Sequence, residues 1–103
     1  MNLKLTLKKE WFDLIANGEK VFEYREYKKH WQQRLLDKEG TKFFDEVQFT
    51  NGYGKHRPFM RCEFIGMSII PGEHCNPDNN EPIDIEKRYF VIRLGEILEV
   101  CNW

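Results

Sequence analysis

Gly18-Glu19-Lys20-Val21-Phe22-Glu23-Tyr24-Arg25 decides how the chain is read. Just upstream, Leu7, Trp11, Leu14 and Ile15 recur at helical spacing, which gives the segment from Lys8 to Asn17 one apolar face. Asn17-Gly18 then stops the helix, because glycine just past a helix tolerates positive φ. Beyond it the chain resumes as a strand from Val21 to about Tyr27. Phe22 and Tyr24 face one way, while Val21, Glu23, Arg25 and Tyr27 face the other. Lys20 therefore stands at the mouth of a strand on which Glu23 and Arg25 share a face.

On the N-terminal side, Leu3-Lys4-Leu5-Thr6-Leu7 alternates apolar and polar residues and reads as a half-buried strand. On the C-terminal side, His30 to Leu36 forms a short second helix with Trp31 and Leu35 on one side. Asp45 to Thr50 alternates again, with Val47 and Phe49 inward. Asn51-Gly52-Tyr53-Gly54 is a turn. In the long strand Phe59 to Ile70, Met60, Cys62 and Phe64 share one parity and Ile65, Met67 and Ile69 the other. That switch predicts a bulge near Gly66. Tyr89 to Leu94 and Ile97 to Cys101 are the last strands, bent at Gly95. Residues 71–84 carry three prolines and three asparagines and read as a long surface loop. The order β-α-β-(α)-β-β-β, with glycines at strand corners, predicts an α+β fold. It is a small closed β-barrel of five to six strands with one or two short helices.

The 103 residues fit one domain, 1–103. A net charge of −1 argues against a protein held to nucleic acid by bulk charge, though it leaves room for a local basic patch. The 15% aromatic share suits both a core and the stacking of bases. Cys62, Cys75 and Cys101 are odd in number and lack C-x-x-C spacing, so neither a disulfide framework nor a zinc site is expected. His30, His56 and His74 are too scattered to ligate a metal, and no cofactor is implied. No run resembles a secretory signal or a membrane span of about 18 residues, so a cytoplasmic location with reduced thiols is expected.

Chemistry concentrates at Lys20, Glu23 and Arg25. If their face lines a cleft, a desolvated lysine can act as base or nucleophile. The carboxylate can pass protons, and the guanidinium can fork onto phosphate or carboxylate. Spacing alone favours the plainer reading, an exposed strand face with ion pairs of about 0.2–1 kcal/mol each. Tyr53, Lys55 and Arg57, around His56, are a second candidate, since a glycine turn with cations and a ring can meet phosphate and base. An ordinary solvated hairpin loop is the alternative. Tyr27 to Arg34 interleaves cations with aromatics but suits a helix with Trp31 on the core and a charged outer face. Cys75, although beside His74, lacks a third partner and reads as an ordinary loop thiol. Trp11 is expected in the core.

The stretch Leu7 to Arg25, with its helix, glycine, lysine, glutamate and arginine in this order, resembles the ASCH domain, a PUA-like β-barrel family. The likeness is to its small stand-alone bacterial or phage type. The resemblance implies a cleft between barrel and first helix that takes RNA or a nucleoside-like ligand. Some small relatives in that family are amidohydrolases of acylated cytidines that use a lysine, a threonine and a glutamate. Lys20 matches the lysine, but Glu23 stands where the threonine would be. The glutamate would come from the later loop, where Glu73 and Glu81 are both available and neither is assigned. Ribonuclease activity is also implied by the family, without a catalytic set that maps here.

Three functions remain in play. The first is an RNA- or nucleotide-binding module in which Lys20, Glu23 and Arg25 form the cleft and Tyr53, Lys55 and Arg57 extend it. The second is a small hydrolase of modified nucleosides, or a ribonuclease, with Lys20 and Glu23 catalytic. The third is a protein-interaction domain that uses the acidic, proline-rich loop 71–86. The ligand, the oligomeric state and the pathway are not legible in the sequence.

Overall fold

A computed structural model of the chain describes residues 1–77 and 81–103, so the middle of the predicted long loop, residues 78–80, lies outside the described residues. The chain runs β1 (Asn2–Thr6), α1 (Lys9–Ala16), β2 (Phe22–Glu26), α2 (Lys29–Leu35) and a small hairpin of β3 (Leu36–Asp37) and β4 (Gly40–Thr41). It continues through β5 (Glu46–Thr50), β6 (Phe59–Pro71), a 3-10 turn at Gly72–His74, and β7 (Arg88–Cys101). Five strands form one curled mixed sheet in the order β1-β5-β6-β7-β2. β1 pairs with β5 in parallel, and the other pairings are antiparallel. The fold is α+β, and its sheet makes half a barrel rather than the closed one expected.

Alternation decides which faces are buried. Leu3 and Leu5 of β1, Val47 and Phe49 of β5, and Phe90 and Ile92 of β7 point into one core, which Phe12 and Ile15 of α1 and Leu35 of α2 cover. On α1 the fully buried ring is Phe12. Trp11, expected in the core, lies partly buried at its margin, because one residue of helical rotation, about 100°, turns it toward the neighbouring cleft. The expected bulge is present: the β6–β7 register shifts between Phe64 and Gly66, and again where Cys62 faces Ile97. Met60, Cys62 and Phe64 are inward before it, and Met67 and Ile69 pack on the core after it. Ile65 is the extra residue and lies 47% exposed, so it does not share the inward face of Met67 and Ile69.

The two sheet edges, β1 and β2, are joined by no ladder among the described residues. Arginine side chains take that place. Arg25 Nη2 donates to the Thr6 carbonyl at 3.1 Å, and Arg34 Nη2 to the Lys4 carbonyl at 2.8 Å. Both guanidinium groups stack on Trp31, 4.8 and 4.9 Å from its ring centroid. The outward carbonyls of an edge strand are thereby satisfied without a sixth strand. Among the described residues, no helix is long and apolar enough to cross a membrane.

The end of α1 is set by its glycine. Gly18 has φ +79°, its N–H donates to the Ile15 carbonyl at 3.0 Å, and the Glu19 N–H donates to the Leu14 carbonyl at 2.9 Å. This pair of bonds is a Schellman motif. The Lys20 N–H also bonds the Leu14 carbonyl, at 3.1 Å, so the lysine leaves the helix on a fixed trajectory. A Cβ on Gly18 would meet nothing within 4 Å, so only the backbone resists substitution. Gly18→Ala is therefore expected to lower stability by about 1–2 kcal/mol, and Gly18→Asn by less, in urea denaturation followed by circular dichroism. Equal stability of Gly18→Ala and the parent chain would contradict this.

Candidate functional site

Burying a lysine is costly unless its charge is matched, and Lys20 is only 4% exposed. Its Nζ donates to Glu81 Oε2 at 2.5 Å and lies 3.6 Å from Glu23 Oε1. The ammonium also sits 5.1 Å from the Tyr24 ring centroid and 5.7 Å from that of Trp11. Glu23, 3% exposed, spends its other oxygen on Arg25, which donates to Oε2 through Nε at 3.1 Å and Nη2 at 2.7 Å. Two cations and two carboxylates thus balance at the foot of β2. Such a network is tolerated in a low-dielectric setting because every member is paired.

A hollow of about 300 Å³ opens over this network, walled by Trp11 and Tyr24 and edged by Lys8, Glu23, Arg25 and Glu81. The sequence-predicted trio is therefore brought together beside a cavity. Glu23 and Arg25 line it directly, whereas Lys20 lies below, under the Glu81 carboxylate.

The two loop glutamates lie in different surroundings. Glu81 belongs to the network, whereas Glu73 is exposed and faces His74 at 3.6 Å. The segment carrying Glu81 is pinned at its base. Gly72 N–H donates to the Lys87 carbonyl at 2.6 Å, and Asp84 N–H donates to the Tyr89 hydroxyl at 2.9 Å. Any side chain at Gly72 would collide with the Asp84 carbonyl, so glycine is required there. Nothing local in the sequence separates Glu81 from Glu73. The signal is the buried ammonium sixty-one positions away, visible only after folding.

Tyr53, Lys55 and Arg57 do not join the trio. They lie in the exposed turn between β5 and β6, where Tyr53 and Arg57 edge a separate hollow of about 400 Å³. Thr6 is common to both hollows. Trp31 faces the core margin and the arginines, as the helical reading expected.

Burial pushes the Cys62 thiol up to about 11, leaving it protonated and unreactive at neutral pH. Cys75 is raised by burial and Cys101 by its hydrogen bond to Glu99, so neither is primed as a nucleophile. Among the described residues, no three His, Cys, Asp or Glu side chains gather as a metal would require.

Burial raises the Glu81 carboxyl above the ordinary glutamate value, with the Lys20 hydrogen bond pulling the other way. A carboxyl in this state can exchange a proton nearer neutrality than an exposed one can. No protein-family model, curated protein or solved structure matches the chain.

Two stability measurements test the network. Glu23→Ala leaves Arg25 without its carboxylate and Lys20 with only one, and is expected to cost about 3 kcal/mol in urea denaturation. A loss under about 1 kcal/mol, as for a surface pair, would refute the buried reading. For Glu81, a raised acid contributes stability that is complete below the ordinary glutamate value and is lost as pH rises through the raised one. Glu81→Gln is thus expected to remove part of the fall in Tm as pH rises above the ordinary glutamate value of about 4.3. Parallel Tm profiles for the two proteins would contradict this.

Proposed function

We propose that the cleft between α1 and the β2 edge binds a nucleobase, presented by a nucleoside, a nucleotide or RNA. The observation that carries this reading is the buried Lys20–Glu81 pair beneath a hollow with aromatic walls. A volume of about 300 Å³ is at the small end of ligand sites and suits one flat heterocycle. Trp11 and Tyr24 offer ring surfaces for it, and stacking on aromatic side chains contributes about 1–3 kcal/mol per base. Glu81 can accept from an exocyclic amine, while Lys8 and Arg25 can meet a phosphate.

The run from Gly18 to Arg25, at a helix end leading into a curled sheet, also supports the ASCH and PUA-like reading and the RNA or nucleotide ligand it implies. In this reading Glu23 braces Lys20 and Arg25 rather than touching the base, because both its oxygens are already engaged.

The Lys20–Glu81 bond favours one second reading, hydrolysis of an acylated nucleoside. Lys20, below the hollow, would act through the Glu81 carboxylate that it bonds. Glu81 would take a proton from water as the C–O bond forms and return it to the departing amine as the C–N bond breaks. The proton shuttle would then be Glu81, in place of the Glu23 expected from the sequence.

A thermal-shift screen of nucleosides, nucleotides and short RNAs tests the binding reading. A true ligand at a hundred times its Kd is expected to raise Tm by about 10 °C, and Trp11→Ala to weaken it about tenfold or more. If no compound moves Tm at low salt, the reading fails. For hydrolysis, N4-acetylcytidine turnover followed by absorbance is expected to fall at least about a hundredfold in Lys20→Ala and in Glu81→Gln. Turnover equal to the parent in either variant would exclude that residue from the chemistry.

A further inference from the structure

Three hollows adjoin along the outward side of β1. Thr6 belongs both to the cleft and to the hollow edged by Tyr53 and Arg57. Lys4 belongs to that second hollow and to a third of about 390 Å³ that also holds Arg34 and Lys42. Lys4 and Thr6 are exposed alternate residues of β1, whose other face carries Leu3 and Leu5 into the core. One strand face therefore strings the three hollows together over about 20 Å from Asn2 to Lys8.

Charge along this face is one-sided. Lys4, Arg57, Arg34 and Lys42 line the second and third hollows, and no carboxylate lines either among the described residues. The nearby acids are engaged elsewhere: Asp45 with the N-terminal amine at 2.6 Å, and Glu46 with Arg61 at 2.8 Å and Gln48 at 3.0 Å. In a chain of net charge −1, such a run of unmatched cations concentrates positive potential on one edge. Beside it, Tyr53 is 94% exposed on a turn whose two glycines, Gly52 and Gly54, take positive φ. A ring held in water next to cations is a platform for stacking, and does nothing for the core.

We propose that β1 carries a track for single-stranded nucleic acid. The cleft holds one base, and the two neighbouring hollows hold the adjoining backbone and a base stacked on Tyr53. The track rests on the cleft reading for its first base. Its length suits about four nucleotides, the lower end for one small β fold. The regular phosphates of such a strand match the spaced cations, and its bases match the exposed ring.

The test is competition against a labelled hexanucleotide, in oligo-rU and oligo-dT arms, with the mononucleotides and polyglutamate as comparators. The hexanucleotide is expected to bind at least tenfold tighter than its mononucleotide. Log affinity is expected to fall with log salt at a slope of about −2, near 0.7 per neutralised phosphate. Arg57→Ala is expected to make that slope shallower by about 0.7, and Tyr53→Ala to weaken the hexanucleotide about tenfold. Together they bring the hexanucleotide-to-mononucleotide affinity ratio toward one. The arm that binds tighter identifies the sugar.

Equal affinity for hexanucleotide and mononucleotide overturns the track while leaving the cleft standing. Equal competition by polyglutamate overturns it as mere charge attraction. If Tyr53→Ala and Arg57→Ala act but Trp11→Ala changes neither ligand, the track stands and the cleft reading falls.

Discussion

The charge on Lys20 has to be matched inside the protein, and much of the architecture serves that requirement. Removing an ammonium group from water costs several kcal/mol. Two carboxylates from distant parts of the chain offset that cost. Glu23 comes from β2, three residues along the chain, and Glu81 arrives from the segment between β6 and β7. Glu23 in turn holds Arg25, Arg25 reaches the Thr6 carbonyl, and Trp31 stacks on Arg25 and Arg34. A single buried charge thus ties together the end of α1, the β2 edge, the β1 edge and α2.

The same chain of contacts explains why the sheet stays a half-barrel. A hydrogen-bonded ladder between β1 and β2 would close the cylinder, but the guanidinium groups already occupy the outward carbonyls of β1. Side chains span a wider gap than backbone pairing does, and the cleft lies next to that seam. Closure by arginine rather than by a sixth strand leaves room for a hollow with an ionic floor.

The electrostatics change along β1. At the cleft, the Lys20 and Arg25 cations are balanced by Glu23 and Glu81. Beyond Thr6 no carboxylate lines the hollows among the described residues, so the cations there project a field that salt screens. A charge-balanced hollow thus lies beside an edge of unmatched cations.

Several features followed from local pattern alone. Alternation in β1 and β5 marked one buried face on each, with Val47 and Phe49 inward. The parity switch in β6 located the bulge, and Asn17-Gly18 marked the end of α1. Each depends on neighbours a few residues apart, and a period of two or 3.6 encodes that directly. The same logic placed Glu23 and Arg25 on one face beside Lys20. It did not distinguish Trp11 from Phe12 as the buried ring, because both lie near the boundary of the apolar stripe and only packing fixes the rotation of α1.

Tertiary structure alone decided the partner of Lys20, the open seam and the separation of Tyr53 and Arg57 from the cleft. Glu81 and Glu73 look alike in sequence. What distinguishes them is where a pinned segment brings each carboxylate relative to a charge far away along the chain. Long-range electrostatic pairing leaves no periodic trace in sequence, so those features exist only once the chain has folded.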